Sequence, residues 1–213
     1  RRSGRPRMLD LPSDLPADIV PLSWLLGVWE GTGVIDYDVP DPDGGEDHRF
    51  RGEFAHRVSF SHDGGSFLNY AATATFTPEE GESVALVAES GYWRLARPAD
   101  AQDAGPALLP PRESRSAART VDDVEALRLP EGGFAIEVSI AHSDGTLELY
   151  LGRIDGPRID IATDAIVRAE GAKEYGAASR MYGLVDGHLL WAWDIAALGA
   201  GLGSHASARL AKV

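Results

Sequence analysis

Apolar and polar residues alternate with period two over most of the chain, the pattern of strands that bury one face. Ten segments carry it: 27–36, 50–60, 66–76, 83–95, 133–141, 146–152, 158–166, 178–185, 188–194 and 205–211. Turn-forming stretches separate them: HDGG at 62–65, PEEGE at 78–82, PEGG at 130–133, HSDG at 142–145, IDGP at 154–157 and VDGH at 185–188. Asp-Gly between alternating runs signals a hairpin, and the near-regular spacing predicts an up-and-down meander rather than a βαβ fold. Residues 1–20 are Pro-rich and polar and read as a flexible arm; PLSWLL at 21–26 reads as a short apolar turn. Two stretches break the alternation. One is the acidic loop at 39–47; the other, at 98–123, is rich in Ala, Pro, Asp and Arg and long enough to be disordered or to form a lid. AKEYGAAS at 172–179 reads either as a helical turn or as the loop leading into a strand.

A meander of this length hides its edges best by closing on itself. The expected fold is therefore all-β: a ten-stranded antiparallel up-and-down β-barrel. It forms a single domain over 21–213, with a long insertion at about 98–123 and room inside for one small ligand.

Composition narrows the function classes. The 213 residues include no Cys, which removes disulfides, thiolate metal sites and a Cys nucleophile together. A formal charge of −13 makes nucleic acid and anionic membrane surfaces poor partners. No apolar run approaches the ~18 residues of a membrane helix. The basic stretch at 1–7 is not followed by an apolar segment, so a cytoplasmic location is expected. GxSxG and GxGxxG are both absent, so neither hydrolase nor dinucleotide chemistry is indicated.

Four groups of residues remain as candidates. Gly27, Trp29, Gly31 and Gly33 form a GxWxGxG run, in which the Trp would plug one barrel end and the glycines would permit close strand crossing. His205 opens the last strand among small residues, and neutral imidazole is a standard ligand for haem iron. On its own, a His at a strand start is more often a surface or packed residue. ESGYWR at 89–94 puts Trp93 on one face and Tyr92 with Arg94 on the other. Lys173, with Arg180 downstream, would hold carboxylates if the pair sits near a cavity mouth; otherwise its charge is merely solvated. His62, His142 and His188 fall in turns, where exposure is the default; His48 abuts the acidic loop, and His56 could point either way.

Several blocks in order resemble the nitrobindin family over about 21–213: PLSWLLGVWEGTG at 21–33, FSHDGGSFLNY at 60–70, AESGYWR at 88–94, IAHSDG at 140–145, AKEYGAASRMYGLVDG at 172–187 and HASARL at 205–210. The resemblance implies a barrel similar to fatty-acid-binding proteins that carries haem b, one per chain. His205 matches the axial iron ligand, Lys173 matches a lysine near the haem with a propionate as its partner, and Arg180 is the weaker candidate for that role. It also implies that the barrel binds nitric oxide and isomerises peroxynitrite to nitrate, with the chemistry on the iron and no catalytic side chain. The family's Tyr-Pro-Thr-like turn has no counterpart in VIDYDVPDPDGGEDHRF at 34–50. Val87 stands where some relatives carry His, which fits a distal side without a strong donor if it faces inward. The competing reading is a non-enzymatic barrel for a fatty-acid-like lipophile; a third is a structural barrel that has lost its cofactor. Assembly is not legible, a homodimer being the usual guess for such barrels.

Overall fold

A computed structural model describes residues 15–78, 81–113 and 119–213. Within them the alternating segments are strands, because only an extended chain sets every second side chain on one face. In chain order these are β1 (Gly27–Val39), β2 (His48–Ser61), β3 (Phe67–Thr77), β4 (Val84–Ala85), β5 (Glu89–Leu95), β6 (Phe134–His142), β7 (Thr146–Asp155), β8 (Arg158–Arg168), β9 (Tyr175–Val185), β10 (His188–Ala197) and β11 (Gly203–Lys212). A 3₁₀ helix, Ala17–Leu25, precedes them, and α1 (Val121–Glu125) interrupts them. Sequential strands pair antiparallel, β5 following β3 directly, and β11 pairs back onto β1. Ten strands thus close the ring, with the two-residue β4 hung on β3. Closure leaves no long edge to pair with another chain.

The two ends of the ring differ. One end is shut by the 3₁₀ helix, which lays Ile19, Leu22 and Leu25 into the core. Trp29 sits beneath them, 2 % exposed, and its indole N–H donates to the Leu25 carbonyl at 2.7 Å. The 3₁₀ helix corrects the sequence reading of 17–20, which continues the arm to residue 20; the arm's first 14 residues lie outside the described ones. The insertion between β5 and β6 belongs to this shut end as well, because it links Leu95 to Phe134 there. Arg97 binds Asp103 through two N–H groups at 2.7 Å, Arg119 pairs with Asp100, and both arginines lie within 4 Å of buried Asp18 in the 3₁₀ helix. Val124 of α1 is buried. The described part of the insertion is therefore strapped to the closed base and does not form a lid over the open end.

The open end holds the loop after β1 and the segment around β4. The segment read as one strand over 83–95 is broken there. Leu86 still bonds the Ala74 carbonyl, but Ala88 bonds the Ser143 hydroxyl, so the chain leaves β3 for the β6–β7 turn. The stretch at 172–179 enters β9 at Tyr175 without a helical turn.

Glycines of β1 carry the close crossing of strands. A Cβ on Gly31 would lie 2.3 Å from the Arg209 carbonyl oxygen, and one on Gly33 would lie 2.4 Å from both Phe54 and the Ser207 carbonyl. Backbone cannot yield as a flexible side chain does. Gly31→Val is expected to lower stability by about 1–3 kcal/mol, read from chemical denaturation. An unchanged midpoint would show that β1 and β11 are not held at this separation.

Candidate functional site

The open half of the barrel encloses a cavity of about 510 Å³, within the roughly 300–1,000 Å³ of small-molecule sites. Its lining is mainly apolar and aromatic, and it includes His56, His142, Lys173, Arg180 and His205.

His205 reaches the cavity through a break in strand register. On β11 the residues Ala206, Ala208 and Leu210 face inward, so strict alternation would point residue 205 outward. The pairing slips at this point: Trp193 of β10 lies opposite Ala206, but Asp194 lies opposite Ser204. His205 is the extra residue of a β-bulge, a device that re-aims a side chain. Its ring packs edge-on against Tyr37, with centroids 5.3 Å apart, and Trp193, 5.6 Å apart. Burial, with a smaller contribution from the Arg180 charge, lowers its pKa to about 4, so the imidazole is neutral at physiological pH. Nδ1 is sealed without a hydrogen-bond partner among the described residues.

His56 also faces inward. Its Nδ1 accepts from the Trp191 indole N–H at 3.1 Å, which assigns the proton to Nε2. Burial first, and Arg180 second, lower its pKa to about 4 against the opposing pull of Glu89.

The inner wall carries a charged cluster that the sequence reading did not assemble. On β7 the alternation runs opposite to expectation: Leu147, Leu149 and Leu151 face solvent, while Thr146, Glu148 and Tyr150 are buried. Glu148 accepts from the Tyr150 hydroxyl at 2.6 Å and from the Tyr175 hydroxyl. Glu89 of β5 accepts from the Tyr70 hydroxyl at 2.6 Å. Arg180 lies between the two carboxylates. It gives Glu89 two bonds, at 2.7 and 2.8 Å, Glu148 one at 3.2 Å and the Tyr150 oxygen one at 2.9 Å, with a long contact of 3.5 Å to Tyr182. Every N–H of the guanidinium is thereby committed, and none is left for a ligand. The Arg180 charge overcomes burial and holds Glu89 down at about 2, so the pair stays ionised.

His142 is a correction. The turn at 142–145 exposes it in the sequence reading, but its side chain is 7 % exposed and lies 2.6 Å from Glu148 through Nε2. Glu148 was the missing signal, a charge at an inward position between two leucines. His62 and His188 are partly exposed, and His48 is exposed. Lys173 is exposed at the cavity mouth, on the loop before β9, where it shares the lining with Val87 of the β4–β5 segment. Trp93 is fully buried and Tyr92 points outward.

The histidines predict opposite pH limbs. Burial lowers the His142 pKa, but the Glu148 hydrogen bond and the Glu89 charge outweigh burial and leave it above the ordinary 6.5. A raised folded pKa means that this stabilisation is complete below the unfolded value and is lost as pH rises through the folded one. For His56 and His205 the neutral form is favoured, so their contribution is lost as pH falls from 6.5 towards about 4. His142→Gln is therefore expected to flatten the decline in melting temperature just above pH 6.5 while keeping the decline below it. Superimposable pH profiles would contradict the buried His142–Glu148 pairing.

Comparison with known proteins places the chain among barrels of this kind. The family described as the THAP4-like, heme-binding beta-barrel domain matches residues 18–212. A protein named peroxynitrite isomerase from Leifsonia xyli subsp. xyli is 58 % identical over 205 residues, 96 % of this chain and 99 % of that protein. One of the same name from Clavibacter michiganensis subsp. michiganensis is 53 % identical over 97 % of this chain and the whole of that protein. The crystal structure of Rv2717c from M. tuberculosis shares the fold, with a TM-score of 0.61 and 24 % identity, covering 96 % of this chain and 99 % of that one. With a family match from the 3₁₀ helix to the end of β11, the chain belongs to the THAP4-like haem-binding β-barrel family.

Proposed function

We propose that this protein is a haem-dependent peroxynitrite isomerase that also binds nitric oxide, holding one haem b per chain through His205. The carrying observation is the bulge that turns a neutral imidazole into an apolar cavity. The residues present fit the group. The imidazole is uncharged and therefore able to offer a lone pair to iron. With Nδ1 sealed, Nε2 is the nitrogen left to face the cofactor. The aromatic and aliphatic lining suits a flat macrocycle and keeps water from it.

When bound, haem would supply the iron chemistry for binding nitric oxide and converting peroxynitrite to nitrate. The protein's own part is to hold, orient and enclose. His205 would hold the iron through its neutral imidazole. Lys173, at the mouth, is placed to pair with a propionate. Arg180 is not given that role, since Glu89 and Glu148 already consume its donors. Val84, Leu86 and Val87 line the wall formed around β4, on the β3 side of the cavity, and bring no side-chain donor there. His142 of β6 also lines the cavity, with Nε2 engaged by Glu148. No side chain is assigned as a general acid or base. A cytoplasmic location accords with the cysteine-free composition.

For a carboxylate-headed lipophile, the occupant of the competing reading, Arg180 offers no charge deep in the cavity because Glu89 and Glu148 already neutralise it, which leaves Lys173 at the mouth.

Hemin added to the purified protein is expected to give a Soret band that saturates at one equivalent and is lost in His205→Ala. Lys173→Ala is expected to weaken hemin binding only about two- to fivefold, as suits an exposed ion pair. In stopped flow, the loaded protein is expected to remove peroxynitrite faster than free hemin. A wild-type protein that forms no Soret band would overturn the haem reading. Equal decay rates for loaded protein and free hemin would overturn the isomerase reading alone.

A further inference from the structure

The buried cluster of Glu89, Arg180 and Glu148 is not needed to bring an imidazole to the cavity, yet it is built with care. What it touches on the cavity side is Trp193. The Arg180 guanidinium lies 3.8 Å from the centroid of the Trp193 ring, a close cation–π contact. Its carboxylate and phenol partners fix it there. Trp193 in turn meets the His205 imidazole at 80°, and Tyr37 meets the same imidazole at 86°. Tyr37 is itself anchored, donating to the Ala197 carbonyl and accepting from the Ala197 N–H, both at 3.2 Å.

Hydrogen bonds do not set the other two rings: His205 Nδ1 and Trp193 Nε1 are both buried without a partner among the described residues. A histidine that binds metal usually donates its far N–H to a carboxylate or carbonyl, which fixes the ring. That bond is missing among the described residues, and two edge-on aromatic contacts, from Tyr37 and Trp193, meet the ring instead.

We infer that Trp193 and Tyr37, with Arg180 and its two carboxylates as the base, form a positioning clamp that orients His205 towards the cofactor in place of the usual hydrogen bond. The inference rests on the reading of His205 as the haem ligand. Trp193 and Arg180 are positioning residues; neither is assigned contact with the reacting atoms. The clamp explains why an otherwise apolar barrel retains a buried ion cluster next to its ligand.

The test uses the hemin-loaded full chain with two readouts: the rate of hemin transfer to excess apomyoglobin, and the iron–imidazole stretching band of the ferrous form by resonance Raman. Trp193→Leu is expected to release hemin about tenfold faster or more, and to shift and broaden the band. Trp193→Phe, which keeps an aromatic face, is expected to recover most of both. A combined E89Q, E148Q and R180M variant removes the charges together, so it is expected to melt near the wild type without cofactor while releasing hemin as Trp193→Leu does. If Trp193→Leu does not fold, Tyr37→Leu, the other jaw, is read the same way. Hemin release within about twofold of wild type together with an unchanged band would overturn the clamp. No Soret band in the wild type would overturn the ligand assignment, and the clamp with it.

Discussion

An imidazole on β11 serves this cavity only because the strand breaks its own alternation. Ala206, Ala208 and Leu210 occupy the inward positions, and one more residue in perfect register would face solvent. The bulge at His205 inserts an unpaired residue and rotates it inward. Everything proposed for the site follows from that rotation. Burial makes the ring neutral, neutrality leaves it a lone pair to offer a metal, and the small residues beside it leave room for a flat partner. The closed base supplies the rigidity. Trp29, the 3₁₀ helix and the strapped insertion fill one end of the barrel and leave the other half open for a ligand.

The charged wall presents the opposite problem. Each buried ion costs several kcal/mol in desolvation, and a buried pair commonly does no better than a well-packed apolar substitute. Net stability is therefore a weak reason for Glu89, Arg180 and Glu148 to be there. Removing one partner alone would cost roughly 3–5 kcal/mol, because it strands a charge. The tyrosines reduce the cost of keeping the group by donating to carboxylate oxygens that water can no longer reach. The result is a stiff, fully bonded block behind Trp193. Stiffness at that point, rather than stability, is what the His205 ring does not get from hydrogen bonding among the described residues.

Period-two alternation and Asp-Gly turns made the strands legible, because both depend on local backbone geometry. β1 to β3 and β6 to β11 lie within a few residues of their expected positions. The break before β5 was not legible, since Leu86 and Val87 continue an apolar run while turning to line a mouth that only the closed barrel defines. The destination of the insertion was hidden for a similar reason: Arg97 and Arg119 find Asp18 some 80 to 100 positions away in sequence. Within the site, the His205 match came from the HASARL block rather than from periodicity, which points the wrong way there. The inward charges on β7 were masked because leucines are normally read as the core face, and here they face solvent. Glu148 between Leu147 and Leu149 was the available clue, and it becomes readable only once Arg180 and His142 are seen to need a partner.

The most direct measurement is electron–nuclear double resonance on hemin-loaded protein carrying ¹⁵N-labelled histidine. The account predicts one strongly coupled imidazole nitrogen on the iron in the wild type, absent from His205→Ala. No histidine coupling, or a coupling that survives the loss of His205, would contradict it.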